Sequence, residues 1–206
     1  MQNVEELQQY VDSLTKELVL TSQTVVAAPG CLPAPCFPEI IMKVLGVVTE
    51  HEWEDLTDRA RNYLKWITVK AEAIDELAPR PMHTTTRGFE LLAIDRDGNS
   101  FGEIVERSQE LGIPSVLVRF ASLIATFLTV RLLRQQMERD REVMPSLTFS
   151  QNVDANYLNY PRTLKTLLEL FPEYKEMFYF EINEEITEDY LTTIRALAGD
   201  LGIRLA

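Results

Sequence analysis

From Ile67 onward the chain alternates between two kinds of segment, and this alternation constrains the fold more than any other feature. "ITVKAEAID" (Ile67–Asp75), "RGFELLAID" (Arg87–Asp95), "SLTFSQNV" (Ser146–Val153), "KEMFYFEIN" (Lys175–Asn183) and "IRLA" (Ile203–Ala206) are short apolar runs. Rich in aromatic and branched residues, they read as strands. Between them lie helical patterns: Ser100–Gly112, which ends at a glycine, Pro114–Glu142, amphipathic towards its charged C-terminal end, Tyr160–Pro172, with proline near start and end, and Thr187–Gly202, with Thr187 as N-cap. "RDGN" (Arg96–Asn99) is a turn, and "APRPMHTTTRG" (Ala78–Gly88) is a loop or hairpin connection. Strand and helix in regular alternation predict an α/β fold, a parallel sheet or barrel.

Upstream the pattern is helical. Residues 38–66 read as two helical pieces, with Trp53, Leu56, Ala60, Tyr63 and Ile67 on one face. Pro29, Gly30, Pro33, Pro35 and Pro38 mark a linker near 29–38. Residues 3–25 read as a helix, with Val4, Leu7, Val11, Leu14, Leu18 and Val25 at 3–4 spacing and Thr21 filling a d position. This is either a short coiled coil, which would make it a homodimer surface, or an amphipathic helix docked on its own domain. The chain therefore divides into a helical lead-in, 1–66, and an α/β unit, 67–206.

Composition excludes several classes. A net charge of −12 argues against binding a nucleic-acid polymer, though not a small anion beside a metal. The longest apolar run, Phe120–Val130, is too short to span a bilayer, and the polar, acidic N-terminus is no signal peptide, so a cytoplasmic protein is expected. Cys31 and Cys36 lack a cluster of partner ligands for zinc and read as reduced thiols. His51 and His83, the only histidines, belong to no recognisable nucleophilic arrangement.

Three polar residues interrupt otherwise apolar strands: Glu90 in "GFELL", Asn152 in "FSQNV" and Glu181 in "YFEIN". A buried carboxylate is costly unless paired, hydrogen-bonded or bound to a metal. In parallel α/β folds the functional groups gather at the C-terminal ends of strands. Two carboxylates and an amide oxygen converging there would make a hard-oxygen site for Mg²⁺ or Ca²⁺.

The order of these segments resembles the EAL-domain family of bacterial cyclic-di-GMP phosphodiesterases. "FELLAI" (Phe89–Ile94) loosely matches the Glu-Ala-Leu-Leu-Arg motif, and "DRDGNSFGEIVERSQELGI" resembles the turn and helix that follow it. "LTFSQNVDANYL" looks like the next strand, with its metal-binding asparagine. "FEINEE" looks like the Glu-Ile-Thr-Glu strand, and "IRALAGDLGIRLA" like the helix leading into the strand after that. The match runs from about Arg87 to the end, and more weakly back to Ile67.

The resemblance implies a partial (β/α)₈ TIM-type barrel of the EAL kind and Mg²⁺- or Mn²⁺-dependent hydrolysis of cyclic-di-GMP, with Glu90, Asn152 and Glu181 as metal ligands. The departures are Ile94, where the family has a nucleotide-holding arginine, Gln109, where it has an acidic residue, and a first-strand glutamine whose place falls to Ala71 or Glu72. The family's paired aspartates, later lysine and final glutamate would fall beyond Ala206. The expectation is the N-terminal half of a barrel, not itself an efficient hydrolase; dimerisation through the barrel is the other candidate for self-association. The alternatives are a degenerate EAL-like module that regulates a protein partner, and a helical interaction protein in which the three residues do not converge.

Overall fold

The structure is a computed structural model that describes residues 46–77, 84–140, 148–153, 157, 160–171, 177–182, 188–202 and 204–205, with Gln9 alone upstream. The 3–25 helix (Gln9 apart), the 29–38 linker with Cys31 and Cys36, and His83 lie outside the described residues.

Two short helices open the described chain: α1 (Glu50–Asp55) and α2 (Asp58–Lys65). Thr49 and Glu52 form a reciprocal capping box at α1, and Thr57 Oγ1 accepts from the Ala60 amide at α2. The polypeptide then runs through β1 (Thr68–Leu77), β2 (Thr84–Ile94), α3 (Phe101–Glu110), α4 (Ser115–Asp140), β3 (Thr148–Val153), α5 (Pro161–Leu170), β4 (Phe178–Ile182), α6 (Glu188–Leu201) and β5 (Arg204–Leu205). This is a mixed α/β fold with a five-stranded sheet ordered β1-β2-β3-β4-β5.

The sheet is not wholly parallel. β2 through β5 run parallel, but β1 pairs antiparallel with β2, with a register shift between Ile74 and Asp75. The reason is length. Only six residues separate Leu77 from Thr84, whereas a parallel crossover needs about a dozen or more. β2 also begins at Thr84, earlier than the apolar pattern suggests, because Thr84–Thr86 pair with Asp75–Leu77.

Alternation sends one set of side chains from each strand into the core. Val69, Leu91, Ala93, Phe149 and Phe180 are each less than a tenth exposed and face α4. Ala121–Arg131 of α4 are buried on every side, so this helix is amphipathic only outside its middle. It lies between the sheet and helices α2, α3 and α5. Phe127 packs on Phe171, Phe120 meets Tyr157 and Tyr160 edge-on, and Arg131 stacks over Phe171 while donating to the Leu170 carbonyl. Val48, Trp53, Ala60 and Leu64 enter the same core as Leu91 and Phe149, so α1 and α2 share one hydrophobic core with the sheet.

One glycine fixes how closely β2 and β3 approach. A Cβ on Gly88 would lie 2.4 Å from the Thr148 carbonyl oxygen, far inside contact distance. Among the described residues, no helix is long and apolar enough to cross a membrane.

Candidate functional site

Most of the polar strand residues lie on the face of the sheet opposite α4; Gln151, on the core face, donates to Ser122 of α4. Register puts Glu72 (β1) beside Glu90 (β2), Glu90 beside Ser150 (β3), Ser150 beside Tyr179 (β4) and Tyr179 beside Arg204 (β5). One pleat along, Asn152 sits beside Glu181. Strands lie about 4.8 Å apart and alternate residues about 6.7 Å along a strand, so Glu90 and Asn152 are diagonal neighbours, Asn152 and Glu181 lie side by side, and Glu90 and Glu181 are about 12 Å apart at Cα. Asn152 Nδ2 donates to Glu90 Oε1 at 3.0 Å across the β2–β3 ladder. The three residues singled out in the sequence therefore share a face, and two of them touch.

The patch carries more than those three. Glu72, not Ala71, faces it; Ala71 packs against the core. Glu72 lies directly across from Glu90, an arrangement of like charges that costs stability, and Lys70 offsets it with an ion pair to Glu72 at 2.6 Å. Ser150 is 5% exposed, and its Oγ is buried without a hydrogen-bond partner. Arg204 donates to the Tyr179 hydroxyl at 3.2 Å and stacks over its ring. Tyr179 and Arg204 carry no signal in one dimension, since a tyrosine and an arginine in short strands are unexceptional. Glu72 was visible only as one of two options until the β1 register was known.

Glu181 is half-buried and lies inside β4, one residue before its end. Its strand therefore continues one residue past the carboxylate. Among the described residues no three of His, Cys, Asp and Glu gather closely enough to hold a metal. The donor set at the patch is instead two carboxylates and one amide. With Nδ2 engaged by Glu90, Asn152 keeps Oδ1 as its available oxygen ligand. All-oxygen donors of this kind suit hard divalent cations such as Mg²⁺, Ca²⁺ or Mn²⁺.

A second polar region lies at the C-terminal end of β2. Asp95, 4% exposed, receives four donors: the Asp97 and Asn99 amides at 2.9 and 3.0 Å, Asn99 Nδ2 at 2.9 Å and the Tyr63 hydroxyl at 3.1 Å. Burial pushes the Asp95 carboxyl up, but these hydrogen bonds, led by Asn99, outweigh it and hold the group below the ordinary aspartate value. Burial, and then the bond to Asp95, raises Tyr63 well above the ordinary phenol. Gly98, at φ 84°, lets the turn close, and the Ser100 amide donates to Glu103 to start α3. The turn forms one wall of a cleft of about 670 Å³ between α2 and α3. Sequence reading found the turn but not the cleft.

No protein-family model matches the chain, and no curated protein matches it in sequence.

Proposed function

We propose that the polar face of the sheet is the divalent-metal and cyclic-di-GMP site of an EAL-type domain with a (β/α)₈-type barrel. The observation that carries this is the Asn152–Glu90 hydrogen bond, together with the register that sets Asn152 beside Glu181. It brings the three hard-oxygen donors expected from the sequence onto one patch. Glu90, Asn152 and Glu181 would hold Mg²⁺ or Mn²⁺, and the ion, when bound, polarises a phosphodiester and activates water. Glu90 also orients the Asn152 amide, so that its oxygen and not its nitrogen is left for the ion. Lys70 holds Glu72 back from Glu90, which limits repulsion within the site when no cation is present.

Calorimetric titration of the full chain with cyclic-di-GMP, with and without Mg²⁺, tests the proposal. Mg²⁺-dependent binding that weakens by about tenfold or more in N152A and E181Q supports it. Binding that ignores Mg²⁺ and both substitutions contradicts it.

A second reading is favoured by one residue. Ile94, where the family carries a nucleotide-holding arginine, is only 7% exposed and is tied to Ser100 by a bridge. That supports a degenerate, non-catalytic module that regulates a protein partner. In the same titration this version predicts binding that is unchanged by Mg²⁺ and by E181Q, whereas the metal site predicts dependence on both.

A further inference from the structure

Outside the sheet face, the described residues hold one cleft with an unusual lining. Trp66, at 47% exposure, is the one large apolar side chain left open among the described residues. The Arg96 guanidinium sits over its ring, 5.1 Å from the centroid. Both line the cleft of about 670 Å³ at the end of β2, with Arg59, Arg107, Asp97 and Glu106. The volume suits a nucleotide-sized ligand. The cleft lies at the carboxyl end of β2, the end at which parallel α/β folds gather their functional groups.

The cleft's charges divide into committed and open groups. Asp95 is saturated by its four donors, while Glu103 is engaged through Oε2 by Ser100 and Glu110 through Oε2 by Arg107. Arg59, Asp97 and Glu106 carry no side-chain hydrogen bond or ion pair among the described residues. Open carboxylates accept hydrogen bonds, an open guanidinium donates them, and an indole beside a guanidinium offers a stacking platform.

We propose that this cleft is a guanine-base subsite, with the base stacked on Trp66 beside Arg96, its N1–H and N2–H₂ edge read by Asp97 or Glu106, and its O6/N7 edge by Arg59. Guanine presents donors on one edge and acceptors on the other, and a guanidinium pairs with O6/N7 in bidentate fashion. Adenine has no donor at N1 or C2, so the carboxylates would face its acceptors and repel it. If the base enters between the two side chains, Arg96 withdraws from 5.1 Å to about 7 Å, two contacts of about 3.5 Å; it is exposed on a turn and free to do so. The subsite rests on the proposed function only for which guanine nucleotide it serves. Glu90 lies four residues before Ile94, the last residue of β2, about 13 Å from that end of the strand.

The chain's two tryptophans allow a direct test. Trp53 is 2% exposed and Trp66 is open, so a base on Trp66 quenches the exposed emission and protects it from acrylamide. The expected result is saturable quenching of the full chain by GMP, and by AMP only at about tenfold higher concentration or more. The signal should vanish in W66F, where Trp53 remains, and D97N together with E106Q should erase the preference for GMP. Equal quenching by AMP and GMP, no saturable quenching, or quenching that survives W66F overturns the subsite. If cyclic-di-GMP binds with Mg²⁺ but leaves Trp66 unquenched, the subsite falls and the proposed function stands. If GMP quenches Trp66 but Mg²⁺-dependent binding of cyclic-di-GMP is absent, the proposed function falls and the subsite stands.

Discussion

At the scale of single residues, the chain accepts local costs on the polar face of its sheet. Glu72 and Glu90 face each other across the hairpin, Ser150 buries a hydroxyl without a partner, and Asn152 gives one amide hydrogen to Glu90. An unpartnered buried hydroxyl costs about 1–3 kcal/mol. S150A should therefore be neutral or slightly stabilising in urea unfolding without ligand, whereas a loss of more than about 1 kcal/mol would mean that the hydroxyl is satisfied after all. Gly88 is the opposite case. Its missing Cβ is what permits contact with the Thr148 carbonyl, so G88A should lose about 1–3 kcal/mol by overpacking in the same assay. An unchanged midpoint would show that β2 and β3 can separate freely.

At the scale of elements, the β2–α3 turn is held by one carboxylate. Asp95 gathers four donors from the turn and from α2, so D95N should cost about 1–3 kcal/mol at neutral pH. The pH dependence follows from sign. The folded-state value of Asp95 lies below its unfolded one, so the unfolded chain binds the proton first as pH falls. The contribution is whole above the unfolded value, about 3.9, and is lost as pH drops through the folded value. The difference in stability between wild type and D95N should thus shrink below about pH 4; a constant difference from pH 7 to 3 would contradict the assignment.

The elements themselves were largely legible, because apolar spacing reports strand or helix directly. Direction and register were not. Periodicity does not say which way a strand runs, and the antiparallel β1–β2 pair is betrayed only by the short, proline-bearing stretch between Leu77 and Thr84. The all-round burial of Ala121–Arg131 in α4 comes from packing on two sides, which no stripe in its own sequence reveals. The choice between Ala71 and Glu72 needed the partner strand.

At the scale of the molecule, the site and its support are continuous. The face opposite Glu90, Asn152 and Glu181 is the core face, where Leu91, Phe149 and Phe180 pack towards α4 and α4 in turn carries α2, α3 and α5. A large-to-small change in the middle of α4 should therefore reach the whole fold. L123A, at a fully buried position, should cost about 2–5 kcal/mol in urea unfolding, in a single transition; loss of α4 alone while the sheet persists would show two cooperative units. The Trp66 cleft was invisible in one dimension for a related reason. Its walls come from α2, the β2–α3 turn and α3, and only the tertiary fold assembles them.

The most direct measurement is a crystal of the full chain grown with Mn²⁺ and cyclic-di-GMP, read by anomalous scattering at the manganese edge. The expected map has a manganese peak about 2.0–2.6 Å from oxygens of Glu90, Asn152 and Glu181, with Asn152 Oδ1 on the ion and Nδ2 still donating to Glu90. A map with cyclic-di-GMP bound but no peak at that patch would contradict the metal site on which the account depends.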